Sequence, residues 1–180
     1  MNRREFETLL LTLESTPVLM EHAATGLSDA CVRTRPAAGG FSLVENVWHL
    51  ADLEREGFGE RIRRILSEST PELANFDGDR VARERNYQTR GVEAGLFAFA
   101  EARRANLDVL ASVTGLQWLR SGMQERVGAV TLADLPRHMA EHDRSHTSDV
   151  AALLEEIAGR DTDQRPVGCV PRIHRVSAFA

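Results

Sequence analysis

Leu135-Pro136-Arg137-His138-Met139-Ala140-Glu141-His142-Asp143-Arg144-Ser145-His146, running on through Val150 and Leu153 to Ile157, is the stretch that decides the fold. Leu135, Met139, His142, His146, Val150, Leu153 and Ile157 follow one another in steps of three or four. That spacing lays all seven on one stripe of a helix, so both histidines share the face that must meet a core. Two imidazoles one turn apart on one face point the same way and can both reach a single ion at about 2.0–2.1 Å. A core histidine bonded to a neighbour is the commoner use of the residue, but two on one core stripe point more sharply to a metal.

Working outward, Thr131-x-x-Asp134 predicts the cap of this last helix and Gly159 its end, near residue 158. At the other end of the chain, Phe6, Leu9, Leu13, Val18, Met20 and Ala24 keep the helical period over about residues 3 to 26. Pro17 interrupts that helix and should bend it. Arg35 to Gly40 reads as a loop, and Ser42-x-x-Glu45 has the capping-box form that starts a second helix over about 43 to 68. Thr70-Pro71 breaks it, and Asn75 to Gln88, with the turn Asp77-Gly78-Asp79, reads as a long connection. Leu96, Phe99, Leu107 and Leu110 define a third helix from Val92 to about 113, and residues 116 to 130 form a structured crossover. With no period-two run and no strand and helix alternation, the expected class is all-α, a four-helix bundle over residues 1–160. Residues 161–180 carry two prolines and no periodicity, and read as an extended tail.

Composition narrows the partners. The 180 residues are 42% hydrophobic and 27% charged, ordinary for a globular chain able to bury roughly 70% of its unfolded surface. A net charge of −5 without a run of Lys or Arg argues against nucleic acid and anionic lipid. No apolar run approaches the roughly 20 residues that cross a bilayer, so a cytoplasmic protein with no membrane partner is expected. Cys31 and Cys169 are far apart in turn-like segments without C-x-x-C spacing, and read as two separate thiols of a reducing compartment.

A third metal ligand has to come from another helix, and His49 is the one histidine in the middle of one. At 100° per residue it falls beside Leu53 at the margin of the apolar face, roughly opposite Val47 and Phe58, so periodicity leaves its direction open. His138, beside Arg137 at the start of the last helix, is read as a surface group, as is His22, and His174 lies in the tail. Glu45 and Asp52 flank His49 by one turn and Asp149 follows His146 by three residues, making them candidates to orient an imidazole through its second nitrogen. Solvation is the simpler expectation for each, and more so for Asp143 and Arg144. Trp48, Tyr87 and Trp118 are candidate pocket walls, although large aromatics at helical spacing are usually core.

Phe41 to Glu54 with its Val47-Trp48-His49-Leu50-Ala51-Asp52 centre, Asp79-Arg80-Val81-Ala82, and Leu132 to His146 together resemble the DinB-like metalloprotein superfamily over most of residues 5 to 158. Thr147-Ser148-Asp149 stands where many members carry Gly-Gln. The resemblance implies an up-up-down-down bundle with a long crossover, commonly a homodimer. It also implies that His49, His142 and His146 bind one divalent ion: Zn, Ni, Fe or Mn. It further implies S-transfer or isomerisation with a low-molecular-weight thiol, which points to a metal-activated thiolate acting on a small electrophile.

Three imidazoles leave a coordination position open, the catalytic rather than the structural pattern. The expected function is therefore a metal-dependent thiol S-transferase or isomerase with a small-molecule substrate. The alternatives are a hydrolase using metal-activated water and a non-catalytic stress-related binding protein. No acid or base beyond the metal stands out.

Overall fold

The computed structural model describes residues 3–160 and 165–169. At Ser42 the capping box forms as its sequence predicts: the Ser42 N–H donates to the Glu45 carboxylate at 2.9 Å, and the Ser42 hydroxyl accepts from the Glu45 N–H. Helix α3 (Leu43–Asp52) starts there, passes into a π-helical segment (Leu53–Phe58) and continues as α4 (Gly59–Ser67). The wide turn inserts extra arc between α3 and α4, so a straight 100° projection misaligns their faces. All ten residues of α3 are buried, His49 included, which resolves the direction that periodicity leaves open.

Three further long helices complete the bundle. Helix α1 (Arg3–Ala24) runs on through Pro17, α6 spans Val92–Ser112 and α7 spans Leu135–Gly159. Both α1 and α3 pack against α6 and α7, so the first two long helices are neighbours of the last two rather than of each other. This is the packing of an up-up-down-down bundle with a long crossover. A short helix, α2 (Asp29–Val32), is capped by Ser28. The crossover after α4 contains β1 (Glu72–Leu73), α5 (Gly78–Glu84) and a 3-10 turn at Tyr87–Thr89.

The crossover before α7 differs from the sequence reading. It contains β2 (Ser121–Gln124) and β3 (Gly128–Thr131), antiparallel to each other, with β1 parallel to β2. Strands of two to four residues are too short to write a period-two pattern. Thr131 therefore belongs to β3, not to a helix cap. Asp134 stands at the head of α7, and its carboxylate turns back to accept from the Thr131 N–H and hydroxyl.

The final described stretch is tied down rather than extended. The Arg165 guanidinium donates to the carbonyls of Ala158 and Arg160, two of the orphan acceptors at the end of α7. The Ser28 hydroxyl donates to the Val167 carbonyl, and Cys169 forms a disulfide with Cys31 across a Cα separation of 5.2 Å. The expectation of two separate thiols is thus overturned, and with it the argument from cysteines for a reducing compartment. Sequence spacing conceals the pair, because 138 residues separate them. His174 and most of the tail lie outside the described residues. Among the described residues no helix is long and apolar enough to cross a membrane.

Two large apolar clusters fill the bundle, one around Leu13, Phe58, Ile62, Leu110 and Met139, the other around Met20, Val47, Leu50, Phe99 and Val150, and a small third gathers Leu153 and Ile157 against Cys31 and Cys169. Between the two large ones lies a buried polar layer centred on Arg103, which is 2% exposed. Its guanidinium donates to Asp143 at 2.6 and 2.9 Å, to Glu54 at 2.9 Å and to the Leu13 carbonyl at 2.7 Å. Thr16 donates to Asp143, and Asn106 donates to both the carboxylate and the carbonyl of Glu54. Asp143, expected to be solvated, is instead buried in this layer. Replacing Arg103 by Ala leaves two buried carboxylates without their cation and should cost about 3–5 kcal/mol of stability, measured by urea unfolding.

Candidate metal centre

His49 is delivered by α3, and His142 and His146 by consecutive turns of α7. The Nε2 atom of His142 lies 3.2 Å from Nε2 of His49 and 3.2 Å from Nε2 of His146. Among the described residues these three form the group that could hold a metal ion, with ligand atoms all within 4.8 Å of one another. Nitrogens bound at 2.0–2.1 Å around a tetrahedral ion stand about 3.3 Å apart, so this spacing fits a divalent cation at their centre.

One tautomer is fixed by the fold. The Asn46 amide nitrogen donates to the Phe41 and Ser42 carbonyls at 3.1 and 3.0 Å, which turns its oxygen toward His146. That oxygen accepts from Nδ1–H of His146 at 2.7 Å, leaving the lone pair of Nε2 facing the cluster. Asn46 is the orienting residue that the sequence reading missed. Its signal is its place three residues before His49, one turn along the same helix.

None of the three carboxylates put forward from sequence spacing bonds a site imidazole. Glu45 serves the capping box and also accepts from Arg35 at 2.9 Å and Gln88 at 2.8 Å. Burial pushes its pKa up, but Arg35, Ser42 and Gln88 outweigh that and hold it low. Asp52 accepts from Tyr87 at 2.6 Å and pairs with Arg55 and Arg85. Asp149 is exposed near His146, where its charge favours the protonated ring without a hydrogen bond.

Aromatic edges surround the cluster. Phe41 and Phe76 meet the His49 ring at centroid distances of 5.5 and 5.9 Å, and Phe58 meets His142 at 6.1 Å. Burial, reinforced by the other two rings, lowers the His49 pKa from 6.5 to about 3. Burial and His146 lower that of His142 to about 4, and burial also lowers His146. All three are therefore neutral near pH 7, the form that ligates metal.

Gly78, the first residue of α5, presses its backbone on His49: a Cβ built there would lie 2.4 Å from Cε1 and 2.6 Å from Nδ1. On the His146 side a cleft of about 920 Å³ opens, lined by Arg35, Phe41, Asn46, Tyr87, His146 and Asp149 among others. Tyr87 is thus a cleft wall as its aromatic character suggests, with burial and then Asp52 raising its hydroxyl pKa. Trp48 instead donates to the Gly91 carbonyl beneath the stacked Arg90. Trp118 packs on Phe6 beside the other apolar cluster.

The family model for the DinB superfamily matches residues 12–168. The chain belongs to the DinB superfamily. Among solved structures, YfiT from Bacillus subtilis superposes with a TM-score of 0.81 at 19% identity, covering 88% of this chain and 90% of that one. It is described as a probable metal-dependent hydrolase with an unusual four-helix bundle topology. At this identity the likeness establishes the four-helix bundle fold. A search of curated proteins gave no match.

Two outcomes follow from the geometry. Gly78→Ala should displace the His49 ring and weaken zinc binding about tenfold or more, read by competition with a chromogenic chelator, with the circular dichroism spectrum retained. For the metal-free protein, the unfolded chain takes up protons on His49 and His142 below pH 6.5, whereas the folded chain does not until about pH 4 and then 3. Stability should therefore fall as pH drops from about 6.5 toward 4, by at most about tenfold in the folding equilibrium per pH unit for each ring. Urea midpoints across that range check this, and His49→Gln should flatten the slope.

Proposed function

We propose that the protein is a divalent-metal-dependent enzyme that activates a small thiol for attack on an electrophile in the cleft. The carrying observation is the set of neutral imidazoles in which Nε2 of His142 stands 3.2 Å from Nε2 of both His49 and His146, beside a cleft of about 920 Å³. When bound, a divalent ion in such a set keeps a coordination position open and stabilises a thiol in its nucleophilic, deprotonated form. His49, His142 and His146 would hold the ion, Asn46 keeps the His146 tautomer, and Gly78 sets the His49 ring. The nearby buried carboxylates Glu45, Asp52 and Asp143 are each engaged by arginine, which leaves none of them free as a proton acceptor. Thiol activation is the chemistry that asks least of such a base.

A second reading, hydrolysis by activated water, is favoured by Asp149. This exposed carboxylate lines the cleft three residues beyond His146, and in this reading it would accept the proton from water. The description of YfiT as a probable metal-dependent hydrolase agrees with it.

Elemental analysis should find about one ion per chain, reduced in His49→Ala, His142→Ala and His146→Ala variants that still fold. In cobalt-substituted protein, a low-molecular-weight thiol should produce a thiolate-to-metal charge-transfer band, and electrophile consumption should depend on that thiol. Ester or amide hydrolysis without thiol, abolished in Asp149→Asn, would reverse the order of the two readings. Thiol binding without turnover would leave a binding protein. An ion count of zero after reconstitution would remove both enzymatic readings.

A further inference from the structure

The Cys31–Cys169 disulfide packs against Leu153 and Ile157 of α7, and Leu153 also lines the cleft that opens at His146. Each half of the bond reaches that cleft by its own route. Cys31 lies on α2, two residues before Arg33, whose guanidinium donates to the Gln88 carbonyl while the Gln88 amide donates back to the Arg33 carbonyl. Gln88 is a cleft residue. Cys169 ends the stretch 165–169, from which Arg165 donates to the Arg160 carbonyl at 2.8 Å. Arg160 in turn donates to Glu156 at 2.6 Å, and Glu156 accepts from the Ala37 N–H at 3.2 and 3.3 Å. Glu156 lines the cleft, and so do Arg35, Pro36, Ala38, Gly39 and Gly40 around Ala37.

Both outer parts of this chain of contacts are lightly held. Arg35 is fixed on Glu45 at the start of the loop, and the Phe41 carbonyl accepts from Asn46 at its end. Between them Ala37 to Gly40 are exposed, Gly39 and Gly40 take φ of +88° and +111°, and nothing lies within 4 Å of where a Cβ on Gly39 would stand. The Ala37 contact with Glu156 is what joins this lip to α7. Apart from the disulfide, residues 165–169 are held by Arg165 on the Ala158 and Arg160 carbonyls and by the Ser28 hydroxyl on the Val167 carbonyl. Three such bonds return less in water than ordering five residues costs in backbone entropy. The covalent bond therefore keeps this stretch in place. Its sulfurs are buried, with Cys31 1% and Cys169 3% exposed, so a thiol reaches them when the stretch lifts from α7.

We propose that Cys31–Cys169 is a redox switch for the cleft, whose reduction by a low-molecular-weight thiol frees residues 165–169 and loosens the lip 35–40 through Arg160 and Glu156. In the first step a small thiolate attacks one sulfur, the protein S–S bond breaks as a mixed disulfide forms, and the other cysteine leaves as a thiolate that takes up a proton. A second small thiol attacks the mixed disulfide and releases the first as a small-molecule disulfide. The protein gains the two electrons that the two small thiols lose. The oxidised chain presents an ordered lip and the reduced chain a loose one. The effect of the lip on turnover rests on the metal-dependent enzyme reading, whereas reduction and loosening do not.

The test treats the metal-free full chain with reduced glutathione, without denaturant, counts free thiols by alkylation and mass spectrometry, and follows backbone hydrogen exchange. Two alkylated cysteines per chain are expected with the circular dichroism spectrum retained. Exchange over residues 35–41 should quicken about tenfold or more, and exchange over α6 should not change. Oxidised Glu156→Ala should quicken the same amides with the disulfide intact, and the double variant Cys31→Ala/Cys169→Ala should match the reduced chain without any thiol. The proposal is overturned if reduction needs denaturant, if residues 35–41 exchange as before once both thiols are free, or if α6 quickens equally. Should the double variant not fold, the glutathione-treated wild type decides it. Zinc content after reconstitution separates the two ideas: a lip that responds to glutathione in a chain that binds no zinc sinks the metal-dependent enzyme alone, and zinc binding with an unresponsive lip sinks the switch alone.

Discussion

Pro17 has no N–H, so the carbonyl of Leu13, four residues earlier, has no partner within its own helix. Arg103 from α6 supplies that partner, and the same guanidinium holds Glu54 of the π-helical segment and Asp143 of α7. One side chain therefore joins all four long helices at a single depth. Apolar packing above and below this layer tolerates small slips, because methyl groups are interchangeable in position. A buried guanidinium with two carboxylates does not, since a shift of one residue would strand a charge. The register of the bundle thus depends on this layer more than on either large apolar cluster.

The metal centre inherits that precision. Asp143 is the immediate neighbour of His142, so fixing Asp143 against Arg103 fixes the height and rotation of α7 where it carries its two imidazoles. On the opposite side, the carbonyl of Glu54 accepts both the Gly59 N–H of the π turn and the Asn106 amide, which keeps the wide turn in place below His49. Nε2 atoms 3.2 Å apart from two helices call for that kind of double anchoring, because an error of 1 Å would spoil the coordination sphere.

Much of this was legible in the sequence, for identifiable reasons. Steps of three and four along Leu135 to Ile157 write the core face of α7 directly, and Ser42-x-x-Glu45 writes the start of α3. His49 was ambiguous because the π turn leaves no mark in a pattern read at 100° per residue. Asp143 was misjudged because its buried partner, Arg103, lies 40 residues away on another helix. The Cys31–Cys169 bond was invisible for the same reason, at still greater separation. Carboxylates one turn from a histidine draw attention as orienting groups, whereas the residue used is an amide, Asn46, whose orientation comes from the loop carbonyls of Phe41 and Ser42. Local pattern is written in local sequence; partners chosen across the bundle are not.

The cluster itself works against folding, and this argues for its use. Three polar rings occupy a layer that aliphatic side chains could fill, and two of them keep buried Nδ1 groups without partners. Each such group costs about 1–3 kcal/mol when desolvated and unsatisfied. Holding the rings neutral avoids charge burial but does not satisfy their donors. A fold selected for stability alone would place leucine at these positions, with Phe41, Phe58 and Phe76 already present to pack on it. The arrangement makes physical sense when a cation binds the three convergent lone pairs, because that free energy then accrues to the folded state only. The metal centre is in this respect the counterpart of the Arg103 layer: both are polar cores whose stability depends on the partner each charge or convergent lone pair finds.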